Sequence, residues 1–192
     1  MGQQSTSAGA SFYLCPDVPG WGYSYCGHAR SPSNSVTYTS LATVPRTAAT
    51  TNIQATSQEI FDFLADYRNI GRIQPQFTSV KLAGEIERGV GAVMELRGRF
   101  HGMPMDVKSR IITFTPSRRI VSISEGTVLS RNAWELEELG TDPPSTTVSF
   151  IVDYKVGGPL GKVFTGIASS LFHREIESLT SESLRRLEEC FD

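Results

Sequence analysis

The chain has 192 residues, 39% of them hydrophobic, and a formal charge of −2, enough for one ordinary core and too little for two large ones. Lys and Arg are interspersed with Asp and Glu, so the clustered positive charge that phosphate backbones require is missing and nucleic acid is not an expected partner. No apolar run approaches the roughly eighteen residues of a membrane span, and the opening MGQQSTSAGASFYL is neither basic nor apolar enough for a secretion signal, which predicts a cytoplasmic location.

Residues 1–44 are rich in Ser, Thr, Gly, Pro and Tyr and show neither helical periodicity nor alternation. They read as a disordered or loosely attached extension, with residues 45–192 as the folded domain. The cluster Phe12, Tyr13, Trp21, Tyr23 and Tyr25 is more aromatic than a linker needs, which suits a segment that folds back or meets a partner. Three cysteines, Cys15, Cys26 and Cys190, are too few for a disulfide framework. Cys15, Cys26 and His28 lack the paired short spacings of a zinc site, so no metal is expected.

The Thr- and Ala-rich stretch from Thr47 to Gln54 suits a first strand. Thr56 and Glu59 then have the spacing of a capping box, in which each side chain satisfies the other residue's amide, so a helix starts there. Ile60, Phe61, Phe63 and Leu64 give it one broad apolar face. Asp66 to Asn69 marks either its end or the start of a shorter second helix, and Pro75 stops any helix before it.

From Thr78 the pattern becomes alternating. Val80 and Leu82 precede Gly84; Ala92, Met94, Leu96 and Phe100 then share one face, opposite Glu95, Arg97 and Arg99. HGMP at 101–104 reads as a turn, after which Met105, Val107, Ser109 and Ile111 oppose Asp106, Lys108 and Arg110. The two segments fit a hairpin. Arg97, Arg99 and Arg110 fall on its outer face, although a bulge between Gly98 and Gly102 would turn Arg99 or His101 inward.

Ile120–Ser124 is a further strand, followed by Val128–Leu139, where Asn132, Trp134 and Leu136 alternate with Arg131, Glu135 and Glu137. After the loop DPPS comes the last strand, with Val148, Phe150, Val152, Tyr154 and Val156 opposite Thr147, Ser149, Asp153 and Lys155. GGPLG at 157–161 breaks the pattern before a long helix, whose stripe Phe164, Ile167, Ala168 and Leu171 is expected to face the sheet. The later apolar positions Leu179, Leu187 and Phe191 drift around the cylinder and imply a bend or a rotated buried face.

Three segments in order, ATSQEIFDFLADYRN, GVGAVMELRGRF and VDYKVGGPLGKVF, resemble the START-like (SRPBCC) superfamily, and within it the polyketide cyclase/dehydrase and lipid-transport group. The resemblance covers about residues 47–190. It implies an α+β helix-grip fold: a bent antiparallel sheet wrapped around a long C-terminal helix, with two short helices after the first strand and a cavity inside. One departure is that many relatives carry Trp just before the proline after the short helices, where this chain has Ile73 and Gln74 ahead of Pro75. The fold is shared by carriers and enzymes and selects no substrate by itself.

With this parity the expected cavity set is Met94, Leu96, Phe100, Met105, Val107, Ser109 and Ile111 from the hairpin. Asn132, Trp134, Leu136, Phe150, Val152 and Tyr154 join from the last two strands, and Phe164, Ile167 and Leu171 from the helix. The same set would serve a plain core. Tyr154 and Trp134 carry a polar tip on an apolar body, and Ser109 and Asn132 add donors and acceptors, a combination that orients an oxygenated ring. No nucleophile and base stand close in sequence: His28 lies in the extension, His101 at a turn, and His173, beside Arg174 and Glu175, reads as a surface residue. GVGAV at 89–93 lacks the strand-before, helix-after context of a dinucleotide loop. The reading is therefore a cytoplasmic binder of a hydrophobic small molecule or lipid, without a cofactor. The alternative is a polyketide cyclase, aromatase or dehydrase that works mainly by holding a chain in one folded shape.

Overall fold

The computed structural model describes residues 44–100, 102–156 and 167–192. The extension expected at 1–44 lies outside them except for Val44, as do His28, His101, the GGPLG break and Phe164. Strand β1 (Arg46–Ile53) is followed by helix α1 (Ser57–Ala65). The capping box closes as expected: the Glu59 amide donates to Thr56 Oγ1 at 3.2 Å, and the Thr56 amide donates to Glu59 Oε2 at 3.0 Å. Thr56→Ala removes the acceptor and is expected to lower stability by about 1 kcal/mol. The check is a lower denaturation midpoint in urea at unchanged slope.

Ile60 and Phe61 are buried beneath α1, while Phe63 and Leu64 are half-buried. Asp66 then accepts from the Arg68 amide at 3.0 Å and opens a 3-10 turn (Tyr67–Asn69), which runs directly into helix α2 (Ile70–Ile73). Of the two sequence alternatives, the separate short helix is the one that forms.

Six more strands follow: β2 (Phe77–Leu82), β3 (Val93–Phe100), β4 (Met103–Thr115), β5 (Arg119–Gly126), β6 (Val128–Glu138) and β7 (Thr146–Val156). All pairings are antiparallel, and the seven-stranded sheet has the order β1-β7-β6-β5-β4-β3-β2. The chain thus meanders from β2 to β7, with β1 added beside the last strand. The β3–β4 turn is tighter than HGMP suggested, because Phe100 pairs with Met103 and leaves two residues between them. Gly102, at φ 76°, supplies the left-handed backbone such a turn needs.

Strand parity holds across this hairpin. Met94, Leu96, Phe100, Met105, Val107, Ser109 and Ile111 are buried, whereas Glu95, Arg97, Arg99, Asp106, Lys108 and Arg110 are exposed. Arg99 therefore stays outside. On the outer face of β7, Asp153 is buried rather than solvated, and it accepts from Arg46 Nε at 2.5 Å and Arg131 Nη1 at 3.2 Å. A buried carboxylate is tolerable there because two guanidinium groups replace its water.

Helix α3 (Ile167–Glu188) crosses the concave face. Near its end Thr180 Oγ1 lies 3.0 Å from Thr47 Oγ1 of β1, and near its start the Phe172 ring lies 4.9 Å from that of Phe100 on β3. Its buried stripe runs through Phe172 rather than Leu171. Leu171 is 58% exposed, while Phe172, Thr180, Ser183, Leu184 and Leu187 are buried. Helical steps onward from Leu171 meet Glu175, Ser178 and Glu182; those from Phe172 meet Ile176, Leu179, Ser183 and Leu187. The longer apolar series decides the face. Among the described residues no helix is long and apolar enough to cross a membrane.

Candidate functional site

Between the concave sheet and the helices lies a cavity of about 150 Å³. That is about ten times the space a single water needs, so it admits a small molecule. Leu64, Tyr67, Ile70 and Ile73 from α1, the 3-10 turn and α2 close one side, and Ile176 and Leu179 of α3 another. Exposed Glu87 marks the mouth. Its neighbour Arg88 pairs with Asp62 of α1 and lies over the rings of Phe61 and Phe114, with its guanidinium carbon 6.0 and 5.8 Å from their centroids. Two wider grooves, of about 680 and 640 Å³, lie on the outer surface among charged residues such as Arg118, Glu135, Arg97 and Asp106. They are open and lined largely by polar and charged residues, so the smaller apolar inner cavity is the better site.

The lining is layered along the strands. In one row Ile120, Trp134 and Phe150 stand side by side, with Trp134 and Phe150 stacked at 3.9 Å between centroids and 8° between planes. The next row is Ile111, Ser122, Asn132 and Val152, and the third is Met94, Ser109, Ser124, Ser130 and Tyr154. Asn132 Nδ2 donates to Ser124 Oγ at 3.2 Å and to Ser130 Oγ at 3.1 Å. The hydroxyls of Ser109 and Ser122 have no hydrogen-bond partner among the described residues. On the helix side, Thr180 and Ser183 donate at 2.7 Å to the carbonyls of Ile176 and Leu179, so those hydroxyl protons are already engaged.

All the expected strand residues line this cavity except Leu136. Leu136 does face inward and is buried, but it pairs with Val148 one row beyond Trp134 and Phe150 and belongs to the core. Leu171 faces solvent, Phe164 lies outside the described residues, and so does the side chain of Ile167. Ser122, Ser124 and Ser130 were not in the expected set, although Ile120–Ser124 already implied one face carrying Ile120, Ser122 and Ser124.

His173 is the main departure. It is half-buried rather than a surface residue, and its Nδ1 lies 2.7 Å from Tyr154 Oη. Two residues beyond the exposed Leu171, it follows Phe172 onto the sheet side. Burial pushes the Tyr154 phenol above its ordinary value of 10. The folded state therefore holds that proton longer than the unfolded chain does. Its contribution is complete below pH 10 and is lost as pH rises through the folded value. In alkaline absorbance titrations Tyr154→Phe is expected to remove the late-ionising phenol and leave the others in place.

An antiparallel sheet gripping a helix over an apolar cavity with a few polar groups defines the helix-grip class of ligand-holding folds. The chain belongs to the family described as polyketide cyclase / dehydrase and lipid transport, whose sequence signature matches residues 45–189. Its fold is similar to a START superfamily protein from Mycobacterium smegmatis, with TM-score 0.62, 12% identity, and 76% of this chain and 96% of that one covered. A Thermus thermophilus protein has TM-score 0.62 at 17% identity, covering 76% and 95%. The Zhui aromatase/cyclase from Streptomyces sp. R1128 has TM-score 0.58 at 17% identity, covering 76% and 90%. At these identities the likeness shows the fold alone. No curated protein matches the sequence significantly.

Proposed function

We propose that residues 45–192 form a binding domain for a hydrophobic, ring-containing small molecule or lipid, held between the sheet and α3. The supporting observation is the partly open cavity, apolar on most sides, with unpartnered hydroxyls on its floor. A packed core would have filled this space with side chains and satisfied those groups. Ligand extraction tests the reading: solvent extracts of the purified full-length protein, analysed by mass spectrometry, should contain a hydrophobic compound absent from a Ser124→Phe preparation. Clean extracts together with no binding of solvatochromic dyes would overturn it.

The Tyr154–His173 contact favours a second reading, a cyclase, aromatase or dehydrase acting on a poly-ketone in the same space. A phenol backed by an imidazole can give a proton to a substrate oxygen and regain it from the ring nitrogen. Under that reading Tyr154→Phe lowers turnover while ligand affinity changes little.

A further inference from the structure

Glu87, at the cavity mouth, belongs to the loop between β2 and β3. Residues 84–88 of that loop, GEIER, are all exposed, and among the described residues no hydrogen bond reaches their backbone. Regular bonding resumes on either side, where the Ala83 amide donates to the Val93 carbonyl at 2.8 Å and the Gly91 amide to the Ile111 carbonyl at 2.9 Å. Gly89 and Gly91, at φ 105° and 91°, return the chain towards β3 through backbone that other residues rarely adopt. An exposed segment without backbone hydrogen bonds opens at little cost in free energy.

Side chains hold the loop down instead. Arg88 pairs with Asp62 of α1, and its guanidinium lies over Phe61 and Phe114, whose rings meet edge to face at 4.8 Å. Asp62 is itself held: Gln58 Nε2 donates to its Oδ2 at 2.7 Å, and Gln58 Oε1 accepts from Ser117 Oγ of the β4–β5 turn at 2.5 Å. Longer-range attraction acts in the same sense between Glu87 and Arg68 and between Arg88 and Asp66. Loop and helices thus carry opposite charges at both positions.

We propose that residues 84–89 form a gate over the cavity and that the Arg88–Asp62 pair is its latch, which sets how fast a ligand enters and leaves. Neither Arg88 nor Asp62 lines the cavity, so loosening the latch changes the rates of passage and not the strength of holding. The two side chains are 48% and 47% exposed, which leaves the pair within reach of salt. The inference rests on the binding function proposed above and adds to it the route and control of exchange.

The test follows N-phenyl-1-naphthylamine, a neutral apolar reporter, entering and leaving the full-length protein in stopped-flow fluorescence. An exposed ion pair is worth about threefold in an opening equilibrium, and the ring contacts about as much again. Asp62→Asn should quicken association and release alike by about threefold, and Arg88→Ala by about tenfold, with Kd unchanged. Arg88→Lys, which keeps the charge, should stay closer to wild type than Arg88→Ala, and Arg88→Gln replaces the alanine variant if that one does not fold. Raising the salt from about 0.01 to about 1 M should quicken wild type more than Asp62→Asn. Rates unchanged in both variants, or a Kd that rises in step with release, would overturn the gate while the reporter still binds. If the reporter does not bind wild type at all, the binding function falls and the inference with it.

Discussion

Gly98→Ala is expected to destabilise the domain by about 3 kcal/mol or more. Gly98 lies mid-strand in β3, where the chain entering β2 passes unusually close: a Cβ there would sit 1.8 Å from the Gln76 carbonyl oxygen and 2.9 Å from Phe77 Cα. Both atoms are backbone, so no rotamer change relieves the clash. The same carbonyl accepts the Arg99 amide at 3.0 Å, so moving it breaks a hydrogen bond as well. Gln76 and Phe77 line the cavity, and the damage should therefore extend to ligand binding. Urea denaturation of Gly98→Ala beside the exposed control Arg97→Ala checks this. A loss under about 1 kcal/mol for the glycine variant would show that the two segments do not approach in this way.

Ser124→Phe is expected to abolish binding of N-phenyl-1-naphthylamine while the protein stays folded. Ser124 is central in the hydroxyl row, between Ser109 and Ser130, and its side chain faces the roughly 150 Å³ of free space. In a solid core an added benzyl group would force its neighbours off their rotamers at a cost of about 1–3 kcal/mol. In a cavity it instead fills the void, and apolar surface leaves water. Thermal unfolding and dye fluorescence on the same sample separate the two cases. A strongly destabilised variant would mean packing rather than free space, and Ser122→Leu, one row away, gives an independent reading if Ser124→Phe aggregates.

Much of this architecture was legible in the residues because it rests on local signals. The Thr56 and Glu59 box fixes where α1 begins, and the alternation from Met94 to Ile111 fixes which side of the hairpin faces inward, since a strand can present only every second residue to one face. The phase of α3 was less accessible. Phe164, Ile167 and Leu171 form a good stripe when read alone, and only the continuation through Ile176, Leu179, Ser183 and Leu187 shows that Phe172 and His173 turn inward. The hydroxyl row was hidden for a different reason. Ser122, Ser124 and Ser130 share the parity of inward residues but carry no apolar signal, and their alignment depends on the register of β4, β5, β6 and β7. The Tyr154–His173 contact joins a strand to the helix beyond the following break, which spacing alone does not reveal.

The placing of α3 against β1 also bears on how the protein folds. Thr47 and Thr180, in contact, are 133 positions apart, and Thr51 and Glu188 are 137 apart. The meander from β2 to β7 can grow by successive hairpins, each closing a short loop. The seam between β1 and α3 must wait for nearly the whole domain, and contacts so distant along the chain make folding slow. Until that seam forms, the apolar inner face is open to water and prone to stick to other chains. If the domain binds a hydrophobic ligand as proposed, that ligand would meet an open trough at this stage.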